Sequence, residues 1–304
     1  MGKAALANRF RRYRCYSCSP ILTPGIQAAP AVYDCLGALL AARAGFPFVF
    51  TSGFGLSAAL LGKPDMGYLT ATEMIATAAR IAAAVEIPVI ADLDTGYGNP
   101  LNVVHTVEQV ARTRVAGMLL EDQEWPKKCG HFEDKRVIST AEQVAKIKAA
   151  VYARGSDGPV IIARTDARAV EGLDGALRRG EAYLAAGADV LFVEAPQSVE
   201  ELATIAAHFR GVPLMANLIE GGKTPNLTVA ELDVMGYKLV AYALSGLFAV
   251  TEALQACFAA LRATGDTASV PHAVTFPEFK ELIDIEHHRA LGQRFRHEPG
   301  ADGQ

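Results

Sequence analysis

The chain has 304 residues, 51% of them hydrophobic and 20% charged, enough apolar material to bury a large core without division into several domains. A formal net charge of −4 and a pI near 6.0 leave no basic face for a phosphate backbone, which argues against a nucleic-acid partner. The cysteines (Cys15, Cys18, Cys35, Cys129, Cys257) are an odd, scattered set with no signal-peptide pattern, which argues against a disulfide framework and for a reducing, cytoplasmic setting.

Residues 1–19 read as an N-terminal arm. Lys3, Arg9, Arg11, Arg12 and Arg14 make it basic, mildly like a transit peptide, but it lacks the apolar stretch of a secretory signal. Cys15 and Cys18 form a CxxC with no second pair at zinc spacing, so they are read as incidental. Short β-rich apolar runs then alternate with Ala-rich amphipathic stretches, the pattern of repeated βα units. Strands are predicted at 26–29, 47–52, 89–94, 117–122, 160–165, 190–194, 214–218 and 239–243. Helices are predicted at 34–44, 72–85, 101–114, 140–153, 173–186, 198–209 and 246–263, with Gly45, Gly187 and Gly236 where helices would stop. Several strands are almost wholly apolar, as strands buried on both faces must be. No GxGxxG follows the first strand, which favours a closed (β/α)8 TIM barrel over an open sheet. The whole chain, 1–304, is thus expected to be a single α/β barrel domain. A helical pattern at 276–296 is surplus to the barrel, residues 298–304 look disordered, and no apolar run reaches the ~20 residues that span a bilayer.

Nearly every predicted strand ends in a polar residue that an apolar core would not choose, and barrel active sites sit at that face. The residues are Ser52-Gly53, Asp92 and Asp94, Glu121-Asp122-Gln123, Arg164 and Asp166, Glu194, and Asn217. Asp92 and Asp94 are two apart on a strand and share a side of it, with Glu121 ending the next. Three carboxylates gathered there call for a hard cation, Mg2+ with Mn2+ as the alternative. The competing reading is a structural network in which the acids pair with Arg164 or Lys127. The loop after the fourth strand carries Lys127-Lys128-Cys129-Gly130-His131. A thiol among two ammonium groups and an imidazole is expected to have a lowered pKa, and Gly130 to let the loop close as a lid. The run 217–224 approaches a P-loop, but Asn217 replaces the leading glycine and Pro225 follows at once. GxSxG and HExxH are absent from the sequence, which removes serine-hydrolase and zinc-protease chemistry.

Over residues 20–297 these motifs, with Gly62-Lys63-Pro64-Asp65 and Ala163-Arg164-Thr165-Asp166-Ala167, resemble the isocitrate lyase and phosphoenolpyruvate mutase superfamily, and the cysteine loop resembles its lyase branch. The resemblance implies a barrel whose C-terminal helices, about 275–297, are swapped between subunits in a homotetramer, a dimer of dimers. It implies Mg2+ on Asp92, Asp94 and Glu121. Catalytic roles fall to Cys129, Lys127, His131, Arg164 and Glu194, and substrate contacts to Phe50, Ser52, Gly53, Phe54, Asp65, Lys128, Gly130 and Asn217. The expected activity is retro-Claisen cleavage of a 2-alkylmalate or 2-methylisocitrate-type substrate to an α-keto acid such as pyruvate and a carboxylate, with Cys129 as proton donor. Oxaloacetate hydrolysis or decarboxylation, and a carboxyphosphonoenolpyruvate mutase-like reaction, are the alternatives. Ala243 stands where the oxaloacetate hydrolases carry serine, and Phe50 where many relatives carry tyrosine.

Overall fold

The structure, a computed structural model, describes residue 21 and residues 23–270 and 274–296; the basic arm with its CxxC and the tail 298–304 lie outside the described residues. Eight parallel strands close into a barrel in chain order, β8 pairing back with β1. They are β1 (Gln27–Val32), β2 (Val49–Thr51), β3 (Val89–Asp92), β4 (Gly117–Glu121), β5 (Val160–Thr165), β6 (Val190–Val193), β7 (Leu214–Leu218) and β8 (Leu239–Tyr242). The predicted strands thus all form, trimmed or shifted by a few residues at their ends.

Side-chain alternation decides what fills the barrel and what crowns it. Phe48, Phe50, Ile90, Leu119, Val160, Ile162, Val190, Phe192, Met215, Leu239 and Ala241 belong to one buried cluster inside the ring. One further step of two along the same strands reaches Ser52, Asp92, Glu121, Arg164, Glu194, Asn217 and Ala243. The polar residues at the barrel mouth are therefore the next inward positions above a packed apolar plug. The intervening residues, such as Ala91, Met118, Leu120 and Ile161, join Val103, Val107, Val110 and Ala150 of the helices in the outer layer. Register completes the placement: Glu121 of β4 lies opposite Arg164 of β5.

The first unit, Met1–Ala249, contains α1 (Cys35–Arg43), α2 (Gly53–Leu61), α3 (Ala71–Ala84), α4 (Pro100–Ala111), α5 (Thr140–Arg154), α6 (Ala167–Ala186), α7 (Val199–His208) and α8 (Val229–Met235). Side-chain caps start most of them: Thr70 and Thr228 form capping boxes with Glu73 and Glu231, and Asn99 precedes Pro100. Left-handed Gly187 and Gly236 stop α6 and α8. Helix α2 was not anticipated, because a segment reading GFGLSAALL has weak local helix preference; Ser52 starts it by accepting a hydrogen bond from the Gly55 amide. Helix α6 begins six residues before the predicted start at 173, with a break at Gly172 (φ 77).

Helix α9 (Ser245–Thr264) runs from the first unit into the second, Val250–Gln304, which also holds α10 (Phe276–Leu282) and α11 (Ile285–Arg294). The single helical pattern expected at 276–296 is two helices, because left-handed Asp284 (φ 53) breaks it and caps α11. None of α9, α10 and α11 contains a buried residue. By length and composition α9 could also cross a membrane, contrary to the expectation that no segment would reach that size.

Candidate active site

Asp92 ends β3 with its amide held by the Thr51 hydroxyl at 3.0 Å, and its Oδ2 accepts from the Gly53 amide at the start of α2, also at 3.0 Å. Asp94 follows in a left-handed conformation (φ 49) and takes a hydrogen bond from the Tyr97 hydroxyl. The buried ammonium of Lys127 lies 2.6 Å from Asp94 Oδ1 and 2.7 Å from Asp65 Oδ1. Burial raises the pKa of Asp94 to about 6 even with Lys127 opposing it. Lys127 is also stripped of water, yet Asp94 and Asp65 hold it charged, with its pKa well above the usual range.

Arg164 is the hub of the second half of the site. Its guanidinium donates to Asp166 through Nε (2.9 Å) and Nη2 (3.0 Å), lies 3.0 Å from Glu121 Oε2 and reaches Glu194 Oε2 at 3.4 Å. Burial would raise the pKa of Asp166, but Arg164 and Lys135 override it and hold the carboxyl well below its usual value. Burial of Glu121 dominates over Arg164 and pushes its pKa far up. Behind the wall, Asp122 points outward and accepts from the Thr165 and Tyr183 hydroxyls (2.7 Å each), the Asp166 amide (2.8 Å) and Arg179 (3.2 Å). Helix α6 thereby fixes the segment that carries Arg164 and Asp166.

The cysteine loop is folded over this face. Gln123 grips Lys128 at both backbone groups (2.8 and 3.0 Å), and the Cys129 amide donates to the Asp65 carbonyl at 3.1 Å. Lys135 Nζ bridges the Gly130 carbonyl to Asp166 Oδ1. His131 Nδ1 accepts from the Lys223 amide at 2.9 Å, which leaves the ring proton on Nε2, 3.1 Å from Glu194 Oε1. Phe132 packs edge-on against Phe54, centroids 6.1 Å apart.

Phe50, Ser52, Phe54, Asp65, Asp92, Cys129, Gly130, His131, Arg164, Glu194 and Asn217 line one cavity, and Gly53, Asp94 and Lys127 line a smaller one that shares Asp65. Glu121 is buried beside the first through its contact with Arg164. Lys128 is the exception: its Nζ turns to the Asp134 carbonyl, so only its backbone serves the loop. The expected lowering of the Cys129 pKa is overturned. Burial pushes the thiol up to about 11, because the lysines meant to lower it are engaged elsewhere, Lys127 with Asp65 and Asp94 and Lys128 with a carbonyl. Sequence reasoning missed Lys135, which sits in a Glu-Asp-Lys-Arg run that reads as a solvated surface. It also missed Phe192, Met215, Ile219 and Leu244, which with Phe50, Phe54 and Ala243 make up the apolar part of the cavity wall.

Asp92 and Glu121 end neighbouring strands, but Asp94 lies past the end of β3 in a left-handed turn and not on the strand beside Asp92 as expected. Among the described residues no three metal-ligating side chains converge directly, and each acid is held by a protein cation or a backbone amide. The donor set nevertheless fits a hard divalent cation. Glu121 Oε1 is buried with no hydrogen-bond donor, while Asp94 Oδ1 and Glu121 Oε2 are met by the cations Lys127 and Arg164. Carboxylates (Asp65, Asp92, Asp94, Glu121, Asp166, Glu194) outnumber the cations Lys127, Lys135 and Arg164 among them.

A family model described as phosphoenolpyruvate phosphomutase matches residues 22–262. The chain is 44% identical to 2,3-dimethylmalate lyase of Eubacterium barkeri, over 89% of this chain and 96% of that one. It is 44% identical to the chloroplastic carboxyvinyl-carboxyphosphonate phosphorylmutase of Arabidopsis thaliana (89% and 81%), and 38% to 2-methylisocitrate lyase of Bacillus subtilis (94% and 92%). Among solved structures it resembles 2,3-dimethylmalate lyase in a trigonal crystal form (TM-score 0.85, 32% identity, 99% and 97% covered). It also resembles oxaloacetate acetylhydrolase with 3,3-difluorooxalacetate (0.88, 32%, 94% and 98%), and phosphonopyruvate hydrolase with oxalate and Mg2+ (0.80, 31%, 95% and 99%). With the closed barrel, the carboxylates at its mouth and the cysteine loop above them, these likenesses show that the chain belongs to the phosphoenolpyruvate mutase/isocitrate lyase superfamily.

Proposed function

We propose that this protein is a carbon–carbon lyase that splits a 2-alkylmalate into an α-keto acid and a carboxylate, with Cys129 as the proton donor. The observation that carries this reading is a thiol kept protonated by burial, facing the same cavity as Arg164, Asn217 and Ser52. A carbanion needs an acid that retains its proton until the bond has broken, and a neutral thiol is such an acid.

Asp92, Asp94 and Glu121 would hold Mg2+, which supplies positive charge to the oxygens of a hydroxy acid and makes its hydroxyl more acidic. Arg164, His131 and Asn217 line the cavity, and in this reading they stabilise the charge that gathers on the departing carboxylate. The closed loop keeps bulk water from the carbanion, so protonation falls to Cys129. In the overall balance the hydroxyl proton passes to solvent, and the carbon–carbon bond breaks as the alkoxide becomes the keto group, its electron pair staying on the departing carbon. That carbon gains the Sγ proton, and solvent returns one proton to the thiolate when the loop opens.

The cavity wall favours an alkyl substituent over a third carboxylate. Phe54, Phe192, Ile219, Ala243 and Leu244 supply apolar surface, no lysine lines the cavity among the described residues, and Arg164 is already matched by Asp166, Glu121 and Glu194. A substrate of the 2-methylisocitrate type would leave one charge unpaired there. Helices α9, α10 and α11 contain no fully buried residue and expose Leu254, Phe258, Leu261 and Phe276, with Phe295 just past α11, which supports their exchange between subunits of a homotetramer.

The test is a panel of 2-alkylmalates, 2-methylisocitrate and oxaloacetate, assayed with Mg2+, Mn2+ and chelator, with Cys129→Ser in parallel. Alkylmalate cleavage that needs the metal and is abolished in C129S, while the variant still shows a rise in Tm on adding Mg2+ and keto acid, is the expected result. Oxaloacetate turnover that survives in C129S would point instead to the hydrolase reading.

A further inference from the structure

The run Glu220-Gly221-Gly222-Lys223-Thr224, which the P-loop comparison set aside, lies against the cysteine loop. It follows β7 as a tight turn, the Gly222 amide donating to the Ile219 carbonyl at 2.9 Å with Gly221 at φ 72, the conformation a type II turn requires at that position. Its next amide, that of Lys223, donates to His131 Nδ1 at 2.9 Å. A Cβ on Gly222 would lie 2.8 Å from Nδ1 and 2.9 Å from Cε1 of the same ring, so a hydrogen is the largest group this contact tolerates. Outside, Lys223 Nζ meets Glu133 at 2.6 Å; Glu133 is largely exposed, and such a pair contributes little by itself.

We infer that the turn 219–223 is the receptor for the cysteine loop: it seats the His131 ring, fixes it as the Nε2–H tautomer that faces Glu194, and thereby holds Cys129 over the cavity. Gly222 and the Lys223 amide are positioning groups, acting on the reaction only through His131 and the loop. The chemistry of the contact explains both residues. A backbone N–H can only donate, so Nδ1 must be the unprotonated nitrogen, and the ring is delivered with its proton on the side of the substrate cavity. This inference rests on the reading of the loop as the lid of a lyase site, and its readout is chosen to be independent of turnover.

The experiment follows alkylation of Cys129 by iodoacetamide, quantified by mass spectrometry on the tryptic peptide that begins at Cys129, in the full-length protein with Mg2+ and pyruvate present. Gly222→Ala should raise the alkylation rate about tenfold, the size expected from losing one hydrogen bond and its packing, and lower kcat by a similar factor with little change in KM. Lys223→Pro removes the donor and puts its ring Cδ where the amide hydrogen pointed at Nδ1, so it should act in the same direction. Tm measurements show whether each variant is folded. A folded G222A and a folded K223P that both alkylate at the wild-type rate would overturn the inference. The lyase reading fails separately, on retained alkylmalate turnover in C129S.

Discussion

Replacing Lys135 by methionine keeps the length and apolar stem of the side chain and removes its charge. In the native structure the ammonium, 1% exposed, bridges Asp166 Oδ1 at 2.7 Å and the carbonyl of Gly130. Hydrogen bonds to charged groups are worth about 1.5–3 kcal/mol each. Asp166 keeps two bonds from Arg164, so the variant is not left with an unpaired buried carboxylate, and the cost stays below the roughly 3–5 kcal/mol of breaking an isolated buried pair. With the loop acting as a lid, the Gly130 bond belongs to its closed state, and its loss should depopulate that state and lower kcat by ~10- to 100-fold, at 1.36 kcal/mol per decade. The loss of the Asp166 bond should appear as a fall of several degrees in Tm, at ~2–4 °C per kcal/mol for a domain of this size. Steady-state kinetics and a thermal melt on K135M against wild type measure both. A variant with kcat within twofold of wild type would refute the view that Lys135 holds the loop shut.

Gly130→Ala should fold normally and lose most of its turnover, because the new methyl carbon would lie 2.5 Å from Glu194 Cδ and 2.6 Å from Arg164 Nη2 whenever the loop closes; kcat and Tm measured together test this. Iodoacetamide modification of Cys129 in the wild-type protein should climb with pH along a curve centred near 11 rather than near the ordinary 9.0. Because the folded site favours the neutral thiol, the contribution of that thiol to stability is complete below pH 9 and is lost as the pH rises through about 11, which pH-dependent melts of wild type and C129S should separate.

The architecture was readable because parallel strands buried on both faces leave short, almost wholly apolar runs, and the period of two carries each run into a polar residue at the mouth. Asp92, Glu121, Arg164, Glu194 and Asn217 could be named on that ground alone. What stayed hidden depends on where long side chains turn. Lys128 and Lys135 flank the thiol in sequence and look alike, yet the first leaves the site and the second becomes its buried brace. The pKa of Cys129 went the wrong way for the same reason, since sequence proximity to ammonium groups says nothing about which carboxylates claim them. Helix α2 went unseen because its start is supplied by Ser52 and its N-terminal amide by Asp92, one local partner and one from another strand.

A thiol that is almost never a thiolate at neutral pH is a poor nucleophile as well as a patient acid. Peroxide and soft electrophiles that disable thiolate-dependent enzymes should find little to attack while the loop lies over the barrel. The same burial that readies Cys129 to protonate a carbanion shields it from oxidative stress, and its exposure to such damage is confined to the intervals when product leaves.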